Sequence, residues 1–134
     1  MLRTALLLAL AALALASCGG GGNDGDDPEQ VVRDFAVATN ERDTDKLCEE
    51  LLSSKFVAES TGAEAGDTET CKEQIGAVRG LRLEVVKINK STVDGDDARV
   101  SAVLRVNGQR QAREFLLVKQ DGAWKLAGGA SPGS

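Results

Sequence analysis

The apolar side chains divide the chain into four stretches. An apolar run from Ala5 to Ala14 follows a single early cation, Arg3. Gly19-Gly20-Gly21-Gly22-Asn23-Asp24-Gly25-Asp26-Asp27 then contains no apolar side chain. From Pro28 to Gly80 apolar positions recur at helical spacing, and from Leu81 to Leu126 they alternate with polar ones at the period of a strand. Helices followed by strands is the order of an α+β domain.

Within the helical stretch, Asp27 is placed to cap, Pro28 suits the first helical position, and Gln30 sits where a side chain reaches back to the cap. Val31, Val32, Phe35, Ala38 and Thr39 then form one face of a helix of about four turns, ending between Asn40 and Asp43. A second helix starts at Asp43 or Thr44 and gathers Leu47, Cys48, Leu51 and Leu52, with Ser53 to Ala58 read as a short turn or brief strand. Glu59 to Asp67 reads as a loop. A third helix is expected from about Thr68 to Arg79, with Cys71, Ile75 and Val78 on one face and Gly80 as its cap; Thr70 and Glu73 offer a second possible start.

Four strands follow. Leu81, Leu83 and Val85 alternate in one phase and Val86 and Ile88 in the other, which predicts a bulge. Val93 to Asp97 is a turn, and Val100, Ala102, Leu104 and Val106 line one face of a second strand. Asn107-Gly108 is a strong hairpin signal. A third strand covers Gln109 to Gln120, with Phe115 to Val118 apolar on both faces, and Asp121-Gly122 turns the chain into a last strand holding Trp124 and Leu126. The predicted fold class is thus α+β, with N-terminal helices packed on a curved four-stranded antiparallel sheet.

The N-terminus carries its own signal. The run from Ala5 is too short to span a bilayer but suits a signal peptide. Leu15-Ala16-Ser17-Cys18 then resembles a bacterial lipobox, with a leucine three before the cysteine and small residues between. The resemblance implies cleavage before Cys18, a thioether-linked diacylglycerol on its sulfur, and often an acyl group on its new amine. An ordinary secretory signal cleaved after Ala14 or Ala16 is the alternative, leaving Cys18 a spare thiol. The division expected is a signal over residues 1–17, a lipidated cysteine and Gly/Asp tether over 18–27, a domain over 28–127 and a loose tail over 128–134. The tether reaches about 15 to 18 Å from a membrane. Its acidic residues do not make a calcium loop, because the glycine is misplaced and no glutamate follows at the required distance.

The order of elements, the ending Asp121-Gly122-Ala123-Trp124-Lys125-Leu126 and the early Ala38…Asp43…Cys48…Leu51-Leu52 pattern resemble the nuclear-transport-factor-2-like, cystatin-like cone fold. More narrowly, they resemble small bacterial lipoproteins of that superfamily. The resemblance implies a cone-shaped domain, with dimerisation through the open sheet face available to Val86, Val103 and Leu116.

Charge and chemistry narrow the function. The formal net charge of −5 is split, with 15 acidic and 6 basic side chains in residues 18–80 against 6 and 9 in residues 81–134. No basic nucleic-acid footprint exists. Outside the cell, Cys48 and Cys71, each on an apolar helical face, are expected to form a disulfide. Two cysteines with no histidine fall short of a metal site, and no C-x-x-C spacing supports a redox role.

The chain has no histidine and no tyrosine, so it lacks the usual proton-transfer residue near neutral pH and every Ser/His or Cys/His nucleophile arrangement. Asp34, Asp43, Glu84 and Glu114 are carboxylates at positions that read as solvent-facing; Phe35, Leu104, Phe115 and Trp124 read as core. No catalytic residue and no cofactor is assigned.

The expectation is a non-catalytic, extracytoplasmic lipoprotein, anchored to a bacterial membrane through Cys18, that binds an envelope protein or an apolar small molecule. The alternatives are a small enzyme using an aspartate or glutamate inside the cone, and a structural or inhibitory envelope module. A cavity of about 300 Å³ or more between helices and sheet, holding a buried carboxylate, is what would favour ligand binding or catalysis.

Overall fold

Asp27 opens the first helix, α1 (Pro28–Glu41), by accepting the Glu29 backbone N–H at 3.0 Å on its carboxylate. Proline at the first position loses no intrahelical hydrogen bond. Gln30 does not reach back to the cap; its amide donates to Asp34 one turn along. Arg42 ends the helix in the left-handed region (φ 57°), its N–H donating to the Ala38 and Thr39 carbonyls. The computed structural model that shows this describes residues 27–62, 64 and 67–130. The expected signal peptide, Cys18, the Gly/Asp tether before Asp27 and the last four residues of the expected tail lie outside them.

The second helix differs from expectation. Lys46–Leu51 is a π-helical segment, closed by the Leu52 N–H donating to the Leu47 carbonyl at 3.0 Å. Leu47, Cys48 and Leu51 of this segment are buried, as is Leu52, its extended C-cap, which bridges to Leu126 in β4.

Ser53 to Ala58 is neither a turn nor a strand. Ser53, itself buried, accepts the Phe56 N–H on its hydroxyl and starts a further helix, α2 (Ser54–Thr61), which Gly62 ends at φ 76°. The loop is correspondingly shorter than Glu59 to Asp67. The last helix, α3 (Thr68–Ala77), is capped by Asp67, which accepts both the N–H and the hydroxyl of Thr70. It stops before Arg79, with Val78 already extended, so Gly80 (φ 75°) shapes the connection to the sheet instead of capping the helix.

The sheet is an antiparallel meander of β1 (Leu83–Asp94), β2 (Asp97–Val106), β3 (Gln109–Gln120) and β4 (Ala123–Ala130), in that spatial order. Asn107-Gly108 and Asp121-Gly122 turn with both residues at positive φ, as two-residue hairpins with right-handed twist require. The first hairpin is tighter than expected, since Asp94 pairs with Asp97 and leaves Gly95-Asp96 as the turn. The predicted bulge is present between Val85 and Lys87, and a second irregularity lies between Ile88 and Lys90. β4 also outruns expectation: Gly128, Gly129 and Ala130 pair with Leu116, Phe115 and Glu114 and are not loose tail.

These irregularities bend the sheet around α1, which packs against both edge strands, β1 and β4, as well as β2. Val31 and Val32, fully buried, belong to one core with Val100, Leu104, Leu117, Trp124 and Leu126, and Phe35 meets Phe115 edge-on at 6.3 Å between ring centres. The cone is filled by its own side chains. Leu116 and Val118, which make the third strand apolar on its second face, are only half-buried on the outer side, as are Val86 and Val103.

Helix α3 joins this core only through Cys71 and the half-buried Ile75. Its main contacts are with the π-helical segment and α2, and Cys71 is its one buried residue. The Cys48–Cys71 disulfide, with Cα atoms 6.0 Å apart, ties it in place. Beside the bond, Lys72 pairs with Asp45 and Glu49 at 3.1 Å each and with Glu69 at 3.8 Å. The hydrogen bond to Glu49 foremost, then that to Asp45, pushes its ammonium from 10.5 up to about 12. With Cys48 and Cys71 both replaced by alanine, unfolding free energy should fall by about 3 kcal/mol in chemical denaturation. Amide exchange should show α3 losing protection first while β2 and β3 keep theirs.

Candidate functional site

The space left by this arrangement is among the helices. A cavity of about 530 Å³ opens between α1, α2, α3 and the connection Gly80-Leu81-Arg82, with no residue of the four strands in its lining. This corrects the expected location between helices and concave sheet, because Val31, Val32 and Phe115 and their neighbours already occupy that volume. Leu47, Leu52, Val57 and Cys71 form the buried floor. Phe35, Phe56, Ile75 and Leu81 make half-buried walls.

The π-helical turn has a direct consequence here. Leu47 on the segment and Leu52, its extended C-cap, both reach the floor. The disulfide contributes Cys71 to the same floor and holds α3 as one wall. Val78, expected on the apolar face of the last helix, is 50% exposed, because the helix has ended and the side chain stands at the cavity mouth.

The polar lining residues are half-buried or exposed, and none belongs to the buried floor. Thr39, Asn40, Arg42, Ser60, Thr61, Gln74 and Arg82 line the cavity, and neither aspartate nor glutamate is among the lining residues. Several of these polar groups brace the walls. The Arg42 guanidinium donates to the Gly76 carbonyl, joining α1 to α3, and Gln74 donates to the Thr61 carbonyl at 3.5 Å, joining α3 to α2. Asn40 grips the first residue of β1 twice: its amide donates to the Leu83 carbonyl at 2.6 Å and its oxygen accepts the Leu83 N–H at 2.7 Å. Asn107 holds Arg82 in the same manner, accepting its N–H at 2.8 Å and donating backbone N–H to its carbonyl at 2.9 Å.

The four carboxylates singled out in the sequence do not converge. Asp34, expected to face solvent, is half-buried on α1 and accepts from Gln30. Asp43 accepts the Lys46 N–H and opens the π-helical segment, also half-buried. Glu84 pairs with Arg105 and Glu114 with Arg99, each at 2.9 Å on the outer sheet face. Of the four core candidates, Phe35 lines the cavity, while Leu104, Phe115 and Trp124 are buried in the cone. Among the described residues no three or more histidine, cysteine, aspartate or glutamate side chains are grouped to hold a metal. No helix among them is long and apolar enough to cross a membrane.

Comparison with known proteins bears on the fold. No family model matches the chain, and no curated protein matches it by sequence. A SEC-C motif containing protein from Rhodopseudomonas palustris, solved in solution, is similar in structure over 79% of each chain, with a TM-score of 0.53 and 18% identity. A de novo designed protein with a curved β-sheet aligns over 77% of this chain and 96% of its own, at 18% identity and a TM-score of 0.47. A de novo designed NTF2 fold protein aligns over 78% and 81%, at 18% identity and 0.38. The likeness is one of fold.

The Asn40 clamp was not legible in the sequence, since its partner is 43 residues away. Replacing Asn40 with alanine strands the N–H and carbonyl of Leu83 and should lower the unfolding free energy by about 1 to 3 kcal/mol. Urea denaturation measures it, with Asn40→Asp losing the donor half alone and falling in between.

Proposed function

We propose that this chain is a non-catalytic lipoprotein, anchored through Cys18, whose helical-layer cavity binds an apolar small molecule. The observation that carries the reading is the cavity itself. Its volume of about 530 Å³ lies in the range of small-molecule sites, its buried floor is apolar, and none of its polar lining residues is buried. The anchor rests on the lipobox residues Leu15-Ala16-Ser17-Cys18 and the polar stretch after them. Binding without turnover is favoured over an enzyme because the lining holds no carboxylate and the chain no histidine or tyrosine.

N-phenyl-1-naphthylamine, a neutral apolar dye, should bind the full chain carrying Cys18→Ser one-to-one with a blue-shifted emission. Val78→Trp, which fills the mouth from an exposed position, should weaken that binding about tenfold or more while leaving thermal unfolding nearly unchanged. Dye binding that ignores Val78→Trp would place the apolar site elsewhere.

Anchoring is tested separately. Cells expressing the chain and fed an alkyne-labelled palmitate should yield a labelled protein in the membrane fraction. The Cys18→Ser variant should lose the label and move to the soluble fraction.

A further inference from the structure

Resting on that reading, we infer that the cavity takes a single-chain amphiphile of the fatty-acid class, its alkyl chain among the helices and its carboxylate at Arg82. The first argument is charge. Residues 18–80 carry 15 acidic side chains against 6 basic ones, yet the cavity lining from this acidic half and the adjoining connection contains two arginines and no carboxylate. A neutral apolar ligand gives no reason for that local inversion.

The second argument is availability. Three helices end their C-termini around the mouth, and helix carbonyl ends attract cations, so the arginines have a competing use. Those ends are largely satisfied from elsewhere. Arg42 and Asp43 backbone N–H groups serve α1, the Gly62 N–H serves α2, and the Val78 N–H and Arg42 guanidinium serve α3. Arg42 is therefore engaged in the wall. Arg82 is exposed and its guanidinium makes no hydrogen bond or ion pair among the described residues; the adjacent Glu84 carboxylate already meets Arg105.

The third argument is preorganisation. Asn107 fixes both backbone polar groups of Arg82, and Asn40 fixes both of Leu83. An arginine so held by its backbone loses less entropy on engaging a ligand than one on a mobile loop. Guanidinium presents a fork that matches a carboxylate with two parallel hydrogen bonds. The volume selects one chain over two: at about 30 Å³ for each methylene-sized group, taken from the liquid volume of water, 530 Å³ accommodates on the order of fifteen such groups.

The experiment compares cis-parinarate with its methyl ester on the full chain carrying Cys18→Ser, by fluorescence titration at neutral pH. The acid should bind one-to-one and at least tenfold more tightly than the ester. Arg82→Gln should weaken acid binding roughly tenfold or more and leave the ester unchanged, erasing the preference, while Arg82→Lys should retain part of it. Val78→Trp should weaken both. Equal binding of acid and ester, unaffected by Arg82→Gln, would overturn the assignment of the head group and leave the apolar-cavity reading standing. Failure of both probes and of the neutral dye would overturn both.

Discussion

The covalent link between Cys48 and Cys71 is the constraint on which the cavity depends. Ordering a ten-residue helix costs about 1 to 2 kcal/mol per residue in backbone entropy alone, and α3 offsets that with one buried side chain. Beyond the half-buried Ile75, its remaining attachments are polar: the Lys72 ion network, the Arg42 bond to Gly76 and the Gln74 bond to Thr61. Exposed ion pairs contribute only tenths of a kcal/mol to about 1 each. The disulfide acts on the other side of the balance, by removing unfolded conformations in which residues 48 and 71 are apart. It thereby lets a helix be held at the margin of the core with only Cys71 and half of Ile75 buried.

That division explains why the empty space lies among helices and not inside the cone. The concave face alternates small and large side chains, Ala98 and Ala102 with Val100 and Leu104, against Phe115, Leu117 and the two valines of α1, and so closes on itself. Each strand is paired with its neighbours along its length, interrupted only at three irregularities, which leaves little freedom to widen the space. The helical layer has no such ladder. A helix positioned by a disulfide and a few hydrogen bonds leaves apolar side chains facing a gap, an exposure that costs on the order of 25 cal/mol per Å² until an apolar group fills it.

The sequence was most informative where structure is local. Asp27-Pro28, Asn107-Gly108 and Asp121-Gly122 each act through a cap or turn conformation that neighbouring residues dictate, and the phase change at Val85-Val86 forecast the bulge. It was least informative where tertiary contacts overrule local preference. Gly128-Gly129 is poor strand sequence, yet pairing with Phe115 and Leu116 extends β4 through it. The spacing of Leu47, Cys48, Leu51 and Leu52 was visible, but the π-turn depends on a core not yet assembled. Ser53 is a cap whose signal is local, but the stretch from Ser53 to Ala58 is too short to show a helical period and reads as a turn or brief strand. The cavity was the least legible feature, because its lining comes from the ends of three helices and a connection, brought together by bonds such as Asn40 to Leu83 across 43 residues.

The whole chain is acidic, which raises the question of whether an anion would approach the cavity mouth at all. Range decides it. At physiological ionic strength the fields of exposed charges decay over about 8 Å, so the −5 net charge acts mainly on encounter and weakly on a bound head group. The partial charges of three helix C-termini, roughly half a unit each, are closer, but backbone and side-chain donors already engage carbonyls at those ends. A carboxylate at hydrogen-bonding distance from Arg82 meets a full charge on a clamped backbone, with no partner among the described residues. The surrounding acidity then works as a filter on rate, and the guanidinium as the determinant of which amphiphile stays.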